Sequence, residues 1–140
     1  MEPVILKVII GTPIHEIKDY AMERWLKNVS ELKYPADFLM VDNSPGLDYV
    51  QKVKSYCEKV AISNYKIKHI ELPPTQEKHE RVARSREIIR QHILARDYDA
   101  WCTWACDEVG PVILKCCQLL AVGIVIIAVG IVPLIVVQFV

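Results

Sequence analysis

A chain of 140 residues suits a single domain large enough to bury its own core. Its 17 basic and 17 acidic side chains cancel, which argues against the broad electropositive face that nucleic acid needs and against a strongly charged partner. The balance is uneven along the chain, because no Lys, Arg, Asp or Glu follows Lys115.

The opening "MEPVILKVII" lacks the basic stretch and small-residue cleavage site of a signal peptide. Cys57, Cys102, Cys106, Cys116 and Cys117 form no recognisable disulfide framework, and adjacent Cys116 and Cys117 suit reduced thiols. The expected compartment is therefore the cytoplasm. The cysteine spacing is no standard zinc pattern, so buried thiols are the better reading.

In chain order, "VILKVII" is a β-branched run that predicts a buried strand, with a turn at Gly11-Thr12-Pro13. Ile17, Ala21, Trp25, Val29 and Leu32 recur at steps of three and four, which predicts a helix with Glu16 and Asp19 in its first turn and Pro35 as its stop. "DFLMV" is a second apolar strand ending at Asp42-Asn43-Ser44. Ser44 and Pro45 then suit the cap and first position of a helix carrying Leu47, Val50, Lys54 and Cys57. "YKIKHIEL" reads as a third, less buried strand and "PPTQEKHE" as a polar loop. A helix is expected from about Arg81 to Arg96, burying Val82, Ile89 and Ile93, and "AWCTW" is a fourth strand leading to Asp107 and Glu108. Strands alternating with helices imply an α/β layer with a mainly parallel sheet.

In such sheets ligands bind beyond the carboxyl ends of the strands, near a topological switch point. Thr12 and Pro13 follow the first strand, Asp42 and Asn43 the second, and Asp107 and Glu108 the fourth. A carboxylate after the second strand suits a base N–H or a ribose hydroxyl, and one after the fourth suits Mg2+ or Mn2+ on a diphosphate. Asp42-Asn43-Ser44 equally suits plain turn and cap chemistry. Arg81, Arg84, Arg86, Arg90 and Arg96 leave two readings open: a solvated charged face, or Arg84 turned toward a diphosphate. Nucleic-acid binding finds no support, since no aromatic residues interleave with these arginines. The four histidines share no metal-ligand spacing and receive no role, with His92 expected to pack in the core.

These stretches, in this order, resemble the amino-terminal half of family-2-like glycosyltransferases with the GT-A fold. "VIIGTPIHE" looks like that family's first strand and nucleotide loop, and "FLMVDNSPG" like its second-strand motif, with Asp42 in the place of the Asp that contacts the base. "RVARSREII" is similar to the family's Ala-Arg-Asn helix start, matching at Ala83 and Arg84 with Ser85 for Asn. "YDAWCTWACDEV" looks like the strand that carries the Asp-x-Asp metal motif, with Asp107 in the last acidic place, Glu108 after it and Ala105 in place of the first acid. The likeness runs over roughly residues 4–133.

The resemblance implies a Rossmann-like, GT-A-type layered fold, incomplete at its carboxyl end. It implies binding of a nucleotide-diphosphate sugar with Mn2+ or Mg2+ for glycosyl transfer. Thr12, Pro13, Asp42, Asn43 and Arg84 would bind the nucleotide, and Asp107 and Glu108 the metal. The family's catalytic base lies beyond the metal strand, so none is assigned, and a partner supplying the acceptor half is one expectation. The rival is a non-catalytic, membrane-associated remnant that only binds.

The expected division is a nucleotide-sugar-binding domain over residues 1–111 and an apolar tail over 112–140. From Leu119 to Val137 there is no charge, and about nineteen residues at ~1.5 Å each reach roughly 28 Å, close to a bilayer core. Lys115 before it would keep the domain on the cytoplasmic face. Gly123, Gly130, Pro133 and the wealth of Val and Ile suit a final core helix and strand instead. The anchor is preferred, because an uncovered strand pair this apolar would aggregate.

Overall fold

The computed structural model describes residues 7–32, 35–104 and 136–139. Its sheet is built from β1 (Val8–Ile14), β2 (Ala36–Asp42), β3 (Tyr65–His69), β4 (Ala100–Thr103) and β5 (Val136–Phe139), in the order β3-β2-β1-β4-β5. The first four run parallel, and β5 joins β4 antiparallel. The helices are α1 (Asp19–Ser30), α2 (Asp48–Lys59) and α3 (Lys78–Leu94).

The continuous apolar runs are explained by burial on both sheet faces. Val8, Ile10, Phe38, Met40, Ala100 and Cys102 pack in one cluster with Met22, Trp25 and Leu26 of α1 and Val53 and Cys57 of α2. Their neighbours Ile9, Leu39, Val41 and Trp101 pack on the other face against Ile89 and Ile93 of α3. The period of two thus sends alternate residues to different helices. His92 is buried on α3 as expected, and burial among Lys68, Arg96 and Lys66 pushes its pKa down to about 4.

Several local expectations are corrected. No turn falls at Gly11-Thr12-Pro13; β1 continues through Ile14. Among the described residues β4 pairs with β1 only over Val8–Ile10, so one edge of β1 is open beyond that point, where a proline is tolerated. Ile17 does not join the helix face but is 69% exposed, because Glu16–Lys18 form a 3-10 turn whose tighter winding shifts it out of phase. Ser44 and Pro45 do not start a helix. The chain first bends through Gly46, at φ 69°, and α2 begins at Asp48 with Leu47 exposed. Helix α3 starts three residues early, inside the expected loop.

Gly11 sets how closely α3 approaches the sheet. A Cβ there would stand 2.5 Å from Ile89 Cγ2 and 2.9 Å from Trp101 Nε1, and that indole donates to the Gly11 carbonyl at 3.3 Å.

The boundary at 111/112 and residues 119–135 of the apolar stretch lie outside the described residues. No described helix is long and apolar enough to cross a membrane.

Candidate functional site

From β1 the chain builds outward through β2 to β3, then α3 carries it back to β4 on the other side of β1. The strand order reverses there, so a crevice opens beyond the ends of β1 and β4. It holds a cavity of about 220 Å3. Thr12, Pro13, Ile14 and His15 line it from the end of β1, Asn43 from the end of β2 and Thr103 from the end of β4. Lys78, Arg81, Val82 and Arg86 approach from the first turns of α3, and Ile17 and Lys18 from the 3-10 turn.

The lining carries four cationic side chains, Lys18, Lys78, Arg81 and Arg86, and among the described residues no carboxylate. The amino-terminal end of α3 adds the positive end of its dipole, with no side-chain cap on its free N–H groups. The field favours an anion, over a floor made apolar by Pro13, Ile14 and Val82. His15 Nδ1 accepts the Ile17 N–H at 3.1 Å, so the neutral ring carries its proton on Nε2. Burial, then the Arg81 charge, lowers its pKa and favours that neutral form.

Behind this lining lies a second polar group. Asp42 is fully buried; its Oδ1 accepts the Ser44 N–H at 3.1 Å and its Oδ2 meets His69 Nδ1 at 2.8 Å. His69 Nε2 meets Glu71 Oε1, also at 2.8 Å. Burial alone would lower the His69 pKa, but hydrogen bonds to Glu71 and Asp42 and their charges outweigh it and raise the value. The Ser44 hydroxyl accepts the Glu16 N–H at 2.8 Å, which ties the β1 loop to the β2 loop.

Of the residues expected to bind nucleotide, Thr12, Pro13 and Asn43 line the cavity. Asp42 lies behind Asn43 with its carboxylate engaged internally, and Arg84 is exposed outside the lining. Of the arginines of α3, Arg81 and Arg86 line the cavity. Lys78, Val82 and Arg86 follow at steps of four, a stripe visible in the sequence once the helix is started early enough. The role of His69 had no such signal, since it depends on β3 pairing beside Asp42. Asp107, Glu108 and Ala105 lie outside the described residues. Among the described residues no group of three His, Cys, Asp or Glu side chains is arranged to hold a metal ion.

Solved structures share this fold. A mannosyltransferase from Pyrobaculum calidifontis, in complex with GDP-Man and Mn2+, superposes with a TM-score of 0.58 at 13% identity, covering 83% of this chain and 32% of that one. The chain has a GT-A-like glycosyltransferase fold. TarS of S. aureus matches that GT-A-like fold with a TM-score of 0.54 at 15% identity, over 74% of this chain and 17% of that one. Its 1–349 segment gives the same TM-score and identity over 81% of this chain and 31% of that one. The chain thus spans about a third or less of each of these three structures. No family model and no curated protein matches the sequence.

Proposed function

We propose that this domain binds a nucleoside-diphosphate sugar at the crevice between β1 and β4, as the donor side of a glycosyl transfer. The observation that carries the reading is the cavity rim itself: four cations and, among the described residues, no carboxylate, at the switch point of a GT-A-like sheet. Such a rim suits a diphosphate, and the apolar floor suits the flat face of a base. The mannosyltransferase of similar fold holds GDP-Man and Mn2+, which supports the same ligand class here.

A divalent cation, Mn2+ or Mg2+, belongs to the proposal through Asp107 and Glu108, since hard cations prefer oxygen ligands. When bound, it would supply positive charge for the departing diphosphate. Lys78, Arg81 and Arg86 would supply the same kind of charge from α3 and fix the diphosphate in place. The acceptor side would come from outside the described residues or from a partner.

A second reading, a domain that binds without transferring, is favoured by Ala105 at the first acidic place and by the internal engagement of Asp42. Calorimetric titration of UDP- and GDP-sugars, with and without Mn2+, tests both. Metal-dependent binding, lost in Asp107→Ala and followed by donor hydrolysis, supports transfer. Binding without metal dependence or hydrolysis supports the binding-only reading, and no binding by folded protein sinks both.

A further inference from the structure

We propose that Oδ1 of Asn43 is a recognition point of this cavity, accepting a hydrogen bond from a donor of the bound ligand, either a base N–H or a ribose hydroxyl. The inference rests on the nucleoside-diphosphate reading above, and it assigns Ser85 as the residue that positions the Asn43 amide.

The orientation of that amide follows from hydrogen counting. Ser85 is fully buried on α3, and its hydroxyl donates to the Arg81 carbonyl at 2.9 Å. A hydroxyl has one proton, so toward Asn43 it offers only lone pairs. Asn43 Nδ2 therefore donates to Ser85 Oγ, at 3.0 Å, and the amide oxygen must occupy the other position. The backbone is held as well, since the Asn43 N–H donates to the Ile14 carbonyl at 3.2 Å.

Asn43 is only 7% exposed, and its Oδ1 accepts no hydrogen bond among the described residues. Buried polar atoms are rarely left unpaired, and because Asn43 lines the cavity, a ligand donor seated against it would supply the missing partner. The neighbouring carboxylate is already engaged by Ser44 and His69, so the free acceptor at the end of β2 belongs to Asn43. An uncharged acceptor also suits the place. A carboxylate there would offset the cationic rim and repel a diphosphate, whereas an amide oxygen reads a donor without altering the charge.

The test uses the full chain and five probes: UDP, GDP, their 2′-deoxy counterparts and inorganic pyrophosphate. The wild type is expected to bind a nucleoside diphosphate more tightly than pyrophosphate. Asn43→Ala should cut that preference about tenfold. Ser85→Ala leaves the amide in place but frees its orientation, and should cut the preference about threefold. A loss confined to the ribose ligands identifies the hydroxyl as the donor, and an equal loss on the deoxy ligands identifies the base N–H. Because preference is a ratio, a general loosening of the fold lowers both affinities and leaves it unmoved. An unchanged preference in both variants overturns the proposal, as does a wild type that binds pyrophosphate as tightly as any nucleotide. A wild type that binds none of the five probes overturns the nucleoside-diphosphate reading, and this inference with it.

Discussion

His69 on β3 sits 2.8 Å from the fully buried carboxylate of Asp42 on β2, the two residues standing opposite one another in the parallel register. The pair links two strand ends directly beneath the loop that carries Asn43. Its pKa stands above the ordinary 6.5, so it stabilises the fold fully below that value, and the contribution disappears as pH rises through the folded value. Urea denaturation at pH 6 and pH 8.5 should show the wild type losing stability with rising pH more steeply than His69→Gln. A parallel slope for the two proteins would remove His69 from the account. At pH 6 the substitution should cost about 3 kcal/mol, because it leaves the Asp42 charge buried with one partner fewer.

Arg86→Ala should weaken diphosphate binding about tenfold while changing stability by no more than about 0.5 kcal/mol, since the side chain is exposed at the cavity rim. Arg84→Ala, two residues earlier and outside the lining, should have the smaller effect on affinity. Titration of pyrophosphate into both variants checks the order, and a larger effect at Arg84 would return the diphosphate to that residue.

Gly11→Ala places a methyl group against Ile89 and Trp101, both held in the packed face beneath α3. Overpacking of this kind costs ~1–3 kcal/mol, so thermal unfolding should occur several degrees lower. Ile89→Ala removes the obstructing Cγ2, so in a double-mutant cycle the combined loss should be less than the sum of the two single losses, and simple additivity would mean that Ile89 is not the obstacle.

Cys57 is buried, and burial, with the nearby Glu58 charge, pushes its thiol up to about 11. The thiolate is the reactive form, so Cys57 should resist alkylation at pH 8 in the native chain and react once urea unfolds it. Peptide mapping after iodoacetamide treatment reads this directly. Rapid native labelling of Cys57 would contradict the packing of α2.

The fold was legible because apolar runs and helical spacing are local signals. Trp25, Val29, Val50 and Ile89 fell where period and composition placed them. What failed was local punctuation. Pro13 and Ser44 carry strong turn and cap signals, but each answers to a contact distant in sequence: the open edge of β1 for one, the Glu16 N–H for the other. Of the candidate cavity, Thr12, Pro13 and Asn43 could be placed from the sequence, because they lie at or near strand ends. Lys78 was obscured by a misplaced helix start. The engagement of Asp42 by His69 needs the strand order, which no single stretch of sequence contains.

The antiparallel strand β5 has a topological consequence. Thr103 and Val136 face one another in register although the chain between them is long, so the chain leaves and rejoins the sheet at one edge. Any surface drawn around the domain is then crossed outward as often as inward by that excursion. A segment that passes once through a bilayer ends on the far side, some 30 Å away, and cannot also return to its point of departure. The anchor and core-strand readings of the apolar stretch are therefore mutually exclusive at Val136 and Val137, the two residues it shares with β5. Slow hydrogen exchange at the amides of Val136–Phe139 selects the sheet, and fast exchange in aqueous protein frees the stretch to insert.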